Sequence, residues 1–250
     1  MCGRYAAARD AAEIAEWFEA EQLPAVELPH RYNVAPTNEV YIVRDEDGTR
    51  SVATASWGLI PSWSKNASHA SRMINARAET VASKPAYRSA FRKRRCLVPA
   101  DGYYEWRAPT TNPSASRKGV KQPFFIHAAD GHQLAMAGIF EVWVDGASSA
   151  PVTSCSILTQ ESVGELATIH DRMPVLVPQS LWAQWLDPAS VDPQELLEEI
   201  IEVDRRGIDE LVTSYPVSTR VNKPGNEGPE LITPTDSRDA PAQGDALFEA

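Results

Sequence analysis

The chain has 250 residues, 43% of them apolar, with a formal charge of −10 at pH 7. That is enough apolar material for one large domain or two small ones with a real core, and no apolar run reaches the roughly 18 residues that a membrane span needs. Three cysteines (Cys2, Cys96 and Cys155), with no CxxC and no paired histidines at ligand spacing, exclude a disulfide framework and a zinc site. The expectation is a chain of the reducing cytoplasm, without secretion signal, metal or cofactor.

In chain order, the sequence opens MCGRY. Loss of Met1 would make Cys2 the first residue, with a free α-amine beside its thiol. Residues 10–22 read as an amphipathic helix with Asp10 as N-cap and Ile14, Trp17 and Phe18 on one face. LPHRYNVAPT (28–37) is an extended, proline-bounded loop, and 40–60 read as two strands around an Asp-Gly turn. In WGLIPSW (57–63), Trp57 reads as core. Trp63, followed by Ser64, Lys65 and Asn66, reads as exposed and suited to base stacking. In MINARAET (73–80), Asn75, Arg77 and Glu79 alternate and would share one face of a strand. Asn offers a donor and an acceptor together, and Arg a fork for phosphate.

RKRR (92–95) is the densest basic cluster, and the strip YRSAFRKRR (87–95) interleaves aromatic and basic residues. CLVPADGYYEW (96–106) reads as an apolar strand, a turn and an aromatic strand that sets Glu105 between Tyr104 and Trp106. A carboxyl in such surroundings is a candidate general acid or base. Residues 107–122, rich in Pro, Ser and Thr, read as a mobile loop, and 123–144 as a hairpin around Asp130-Gly131. A β-type run at 153–159 precedes a helix at 161–170, and IHDRMPVLV (169–177) sets His170, Asp171 and Arg172 before a buried strand. Helices follow at 180–186 and 192–203, the second with Pro193 in its first turn, then a strand at 210–219. The fold expected is α+β: a single domain over 1–232 with a curved, mostly antiparallel β-sheet or barrel core and flanking helices. Residues 233–250 are expected to be a disordered acidic tail.

Charge is unevenly placed. Residues 186–250 hold fifteen Asp/Glu and five Lys/Arg, which is the whole net charge, while 72–106 hold eight Lys/Arg against three acids. A basic stripe of this kind suits a phosphate backbone or a solvated face. Each candidate also has a plainer reading: a chance second residue for Cys2, a surface arginine for Arg77, a structural histidine for His170. An N-terminal cysteine also serves amidohydrolases, including enzymes that resemble class II glutamine amidotransferases and begin Met-Cys-Gly.

Taken together and in order, MCGRY, RYNVAPT, WGLIPSW, INARAET, FRKRRCLVPADGYYEW, PFFI, AGIFEVW, SILT, IHDRMPVLV and VSTRVN resemble the SOS response-associated peptidase (SRAP) family of abasic-site processing proteins. The resemblance runs from residue 1 to about 222. It implies that Cys2, freed of Met1, forms a thiazolidine with the ring-opened aldehyde of an abasic site in single-stranded DNA. It implies that Asn75 orients the sugar, Glu105 shuttles protons and His170 stabilises the open sugar. Arg4, Arg77 and Arg172 become phosphate contacts, with Asn33 and Trp63 beside the DNA path. Met1 would leave by autoproteolysis or by a housekeeping aminopeptidase, and β-elimination through the imine would give lyase activity as a side reaction. The setting implied is cytoplasmic, nucleoid-associated if bacterial. The chain departs from the family in its 107–122 loop and acidic tail, and it has Trp63-Ser64 where the family often has two adjacent tryptophans. Two other readings stay open here: an N-terminal-cysteine amide hydrolase and a non-catalytic single-strand binding module.

Overall fold

The computed structural model describes residues 2–108, 121–144, 150–189 and 192–235. Most of the expected 107–122 loop and 233–250 tail therefore lies outside the described residues, as does Met1. Strand β1 (Tyr5–Ala7) leads to α1 (Ala11–Trp17). This helix starts on a capping box: Asp10 accepts from the Glu13 N–H, and the Glu13 side chain accepts from the Asp10 N–H. Strand β2 (Arg31–Val34) precedes the hairpin of β3 (Glu39–Glu46) and β4 (Thr49–Trp57). Its turn residues Asp47 and Gly48 both have positive φ, the geometry that matches the twist of the flanking strands.

Next come β5 (Asn75–Arg77), α2 (Ala78–Val81), α3 (Arg88–Lys93), β6 (Arg95–Ala100) and β7 (Gly102–Arg107). Then come β8 (Gln122–Ala128), β9 (Leu134–Val144), β10 (Pro151–Glu161) and β11 (Arg172–Pro174). The last are α4 (Trp182–Leu186), α5 (Pro193–Leu211) and β12 (Val212–Pro216). Asp192 caps α5 by accepting from the Gln194 and Glu195 N–H groups, and Pro193 occupies its first turn.

Strands β10, β4, β3, β6 and β9 close into a ring, because β9 pairs back on β10. The ring is antiparallel except at β10–β4. Strand β5 lies parallel on β10, with Asn75 opposite Ile157, and a second sheet runs β12-β8-β7-β1-β2. The barrel strands are apolar on both faces. Val40, Ile42, Val98 and Met136 pack with Tyr5, Tyr103, Phe124 and Ile126 of the second sheet. The alternate positions Tyr41, Val43, Leu97 and Ile139 pack with Ile14, Phe18, Trp185 and Ile200 of the helices. Each such side chain contributes about 1.5–3 kcal/mol by leaving water.

Four expectations need correction. The 123–144 segment is not a hairpin: β8 pairs with β7 and β12, whereas β9 pairs with β6 and β10 and closes the barrel. Asp130-Gly131 turns the chain between sheets. The 161–170 helix shrinks to a 3-10 turn at Gly164–Thr168. Glu79 does not share a strand face with Asn75 and Arg77, because the strand ends at Arg77 and Glu79 lies in α2. The basic cluster is partly internal. Arg95 is 2% exposed and donates to the carbonyls of Phe91, Arg92, Gln184, Trp185 and Asp187, capping the ends of α3 and α4. Arg94 pairs with buried Glu141 at 2.7 Å, so Arg92 and Lys93 alone of RKRR stay exposed.

Candidate active site

Cys2 lies three residues before β1, which runs antiparallel to β7 with Tyr5 opposite Tyr103. Residues before Tyr5 therefore run beside residues after Tyr103, and this register carries Cys2 toward Glu105. The Tyr104 N–H donates to the Arg4 carbonyl at 2.9 Å and fixes that approach. On the other side, Asn75 starts β5, and its Nδ2 donates to the Cys2 carbonyl at 2.7 Å. Asn75 Oδ1 is buried and has no hydrogen-bond partner among the described residues, so an acceptor is held in reserve beside the cysteine. The Asn75 carbonyl accepts from the Tyr87 hydroxyl at 3.3 Å. The strand is thus tied down from two directions.

His170 completes the group, its Nε2 lying 3.7 Å from Glu105 Oε2. Glu105 is 2% exposed, and burial raises its carboxyl from the ordinary 4.5 to about 7. Burial lowers His170, against the opposing pull of Asp171. Both shifts favour the neutral forms, so near neutrality the carboxyl stands poised between acid and carboxylate beside a neutral ring. His170 Nδ1 has two neighbours that ask for opposite tautomers: the Arg172 N–H at 3.0 Å, which needs an acceptor, and Asp171 Oδ1 at 2.9 Å, which needs a donor. The neutral ring satisfies the Arg172 N–H and turns an Nε2–H toward Glu105. Protonation at Nδ1 would instead satisfy Asp171 and leave the Arg172 N–H without that acceptor. The Cys2 thiol is fully buried, and desolvation, then the Glu105 charge, push it well above its usual range. It is a protonated thiol until something draws the proton away.

The sequence-picked DNA contacts divide into two groups. Trp63 is 69% exposed and Arg77 is exposed, both open to a ligand. Arg4 and Asn33 are tied to each other: Arg4 Nη1 donates to Asn33 Oδ1 at 2.7 Å and to the Val221 carbonyl at 3.0 Å. Asn33 is 1% exposed and donates to the carbonyls of Val221, Lys223 and Asn226. It anchors the 221–226 segment and aims Arg4. Arg172 forms a two-pronged pair with Glu79 at 2.5 and 3.0 Å and donates to the Thr159 carbonyl at 2.6 Å. Sequence reasoning missed this clamp, although Glu79 and Arg172 both stood in motifs already singled out. Charge complementarity between those motifs was the available signal. Among the described residues no cluster of three or more His, Cys, Asp or Glu is placed to hold a metal ion.

The chain is similar to several known proteins. The SOS response associated peptidase (SRAP) family profile matches residues 1–224. The Bacillus subtilis abasic site processing protein YoqW is 34% identical over 233 residues, 93% of this chain and 99% of that protein. The Gallus gallus abasic site processing protein HMCES is 31% identical over 218 residues, 78% of this chain and 61% of the longer relative. A crystal structure from Bacteroides thetaiotaomicron superposes with a TM-score of 0.77 at 25% identity, covering 94% of this chain and all of that one. A phage-related protein from Bordetella bronchiseptica gives 0.65 at 32% identity, covering 87% and 95%. With a matched profile over nearly the whole length, and a buried second-position cysteine held between an asparagine and a carboxyl–imidazole pair, the chain belongs to the SRAP family.

Proposed function

We propose that this protein processes abasic sites in single-stranded DNA by forming a covalent DNA–protein crosslink through Cys2 after Met1 has been removed. The observation that carries the reading is the convergence of Cys2, Asn75, Glu105 and His170, drawn from four separate stretches of chain. The names of the relatives, abasic site processing proteins, supply the substrate class.

The steps follow from the side chains. An abasic sugar is mostly cyclic, and its aldehyde appears only when the ring opens. The Glu105 carboxyl, one oxygen accepting and the other donating, can move the proton from the sugar's anomeric hydroxyl to its ring oxygen, while the His170 Nε2–H steadies the opening sugar and Asn75 Oδ1 accepts from a sugar hydroxyl. The Cys2 amine, with an ordinary pKa of about 7.7–8.0, attacks the aldehyde carbon to give a carbinolamine. Protonated Glu105 donates to the departing hydroxyl, water leaves, and an imine forms. The Cys2 sulfur then adds to the carbon of this protonated imine, and its proton returns to the Glu105 carboxylate, restoring the acid. One water is lost, no electrons are transferred, and the product is a five-membered ring. Holding amine, thiol and sugar together supplies much of the acceleration. Phosphate contacts from Arg77 and Arg4 add affinity without sequence preference, and Trp63 offers a stacking face. β-Elimination from the imine is a side route to strand cleavage.

The test is an abasic oligonucleotide incubated with the mature protein and run on a denaturing gel. A shifted band is expected from wild type. Cys2→Ser, which keeps the amine but lacks the sulfur, should give no stable band and at most a product trapped by borohydride. An undiminished stable band from Cys2→Ser, or crosslinking by protein whose intact mass still includes Met1, would end the proposal.

A further inference from the structure

A second pocket of about 270 Å³ opens between the start of β9, α1 and α5. It shares no residue with the Cys2 site. Its walls include the apolar faces of Trp17, Leu176, Trp182 and Val203. Its polar groups are unusual for a core. Gln133 is 5% exposed, yet neither its Oε1 nor its Nε2 has a partner among the described residues. Asp204 is 1% exposed, and its Oδ2 accepts from Gln160 Nε2 at 2.5 Å and the Leu176 N–H at 3.0 Å. Its Oδ1 has no partner among the described residues, and the same holds for the indole Nε1 of Trp17. Leaving so many buried polar atoms without partners is costly in any fold. The backbone also makes room: Gly207, one turn beyond Asp204 on α5, lines the pocket, and a Cβ there would meet nothing within 4 Å.

We infer that this pocket is a binding site for a small, uncharged, planar nitrogen heterocycle whose edge presents a donor beside an acceptor, as the edge of adenine does. A glutamine amide matches such an edge with two parallel hydrogen bonds. The Trp17 indole N–H would reach a ring nitrogen, and Asp204 Oδ1 a ring N–H. One face of the Trp17 indole already carries the His132 ring at 3.9 Å, so the ligand ring itself would lie on the Trp182 side of the pocket. The volume stands near the low end for small-molecule sites and admits one or two fused rings. Size and charge both exclude a nucleotide. Asp130 and Asp204 are in the lining with no Lys or Arg, and the one imidazole, His132, is stacked on Trp17, so a phosphate would face two carboxyls without a permanent cation to balance it.

The inference does not depend on the crosslinking reaction and is tested apart from it. Adenine is titrated into the full-length protein by calorimetry, with purine, which lacks the 6-amino donor, as the paired probe. Adenine should bind saturably and at least about tenfold more tightly than purine, because the Gln133 acceptor stays unpaired with purine. Gln133→Leu should erase that preference. Gly207→Phe, which fills the pocket from a position with open space and leaves the Asp204 hydrogen bonds in place, should abolish binding of both probes. Thermal melts establish that each variant is folded, and Cys2→Ser should bind adenine as wild type does. The inference is overturned by no saturable adenine binding, by purine binding as well as adenine, or by undiminished binding in both folded pocket variants.

Discussion

Glu105 and Asp204 are the same chemistry in two settings. Both are carboxyls almost sealed from water, and burial lifts each to about 7. Around Glu105 stand His170, itself partly exposed, and the thiol-bearing start of the chain. Around Asp204 stand a glutamine and a backbone N–H that have no protons to exchange. The comparison teaches that a raised pKa marks a place where a proton is held loosely, and that neighbours decide whether the proton has anywhere to go.

The sharpest way to break the comparison is to neutralise each carboxyl without changing its shape. Glu105→Gln should slow crosslinking by about 10²–10⁴-fold, the usual worth of a general acid–base group, while DNA affinity on an intact oligonucleotide stays near wild type. Asp204→Asn should leave the crosslinking rate unchanged. Equal losses of rate and affinity in Glu105→Gln would make it a binding residue, and a slow Asp204→Asn would erase the distinction. The pH profile sharpens the point. A protonated Glu105 is lost as pH rises through about 7, whereas the neutral amine is gained through about 7.7–8.0. Wild type should therefore show a bell with its maximum between those values, and Glu105→Gln only the rising limb.

Stability should respond next, at both carboxyls alike. Each group binds its proton more tightly in the folded chain than in the unfolded one. The sign follows: stability is greatest below the unfolded pKa and falls as pH rises through the window up to about 7, from 3.8 for Asp204 and from 4.5 for Glu105. Asn at 204 can still accept from Gln160 and Leu176, so Asp204→Asn should flatten this slope. It should gain on the order of 3–4 kcal/mol relative to wild type at pH 8, with little change near pH 4. Denaturant melts at the two pH values read the difference, and parallel wild-type and variant curves would contradict it.

A smaller effect probes how His170 is held. The Arg172 N–H fixes Nδ1, and the Glu79 carboxylate fixes the Arg172 guanidinium from α2. Glu79→Gln loses the charge but keeps one acceptor. It should cost about 1–2 kcal/mol of transition-state stabilisation, the worth of a charge-assisted hydrogen bond, and shift the acidic side of the pH profile. A purely structural Glu79 would lower the melting temperature and leave the profile in place.

The sequence carried the fold class and named the residues to compare, but it did not carry the strand partners. Cys2, Asn75, Glu105 and His170 each stood in a short motif that residue type alone singles out, though only the fold brings the four together, and the hairpin at Asp47-Gly48 was legible because the turn is local. Strand partners are not local. Nothing in 123–144 tells β8 to leave β9 for β7, since that choice is made by barrel closure through β10. RKRR read as surface because four cations in a row are usually solvated, whereas Arg95 finds carbonyls of two helix ends that only the fold brings together. Asp204 was hidden for the opposite reason. It is one acid among many in an acidic helix, and its place on the apolar face with Leu197, Ile200 and Ile208 passed as one more charge.

The finest comparison is between the two kinds of arginine at the site. Arg77 is exposed, whereas Arg172 is spent on Glu79 and Thr159. Arg77→Ala should weaken binding to single-stranded DNA uniformly across sequences and lower the magnitude of the log–log salt slope by about 0.7, the counterion release of one single-strand phosphate contact. Its melting temperature should not move, because an exposed side chain takes little with it. Arg172→Ala should do the reverse. It strips Glu79 of its partner and loosens the segment that holds His170, so crosslinking rate and stability fall while the salt slope barely changes. Salt titrations of the two variants, measured side by side, separate a residue that touches DNA from one that positions the chemistry. A full slope change in Arg172→Ala would mean that the Glu79 pair opens when DNA arrives.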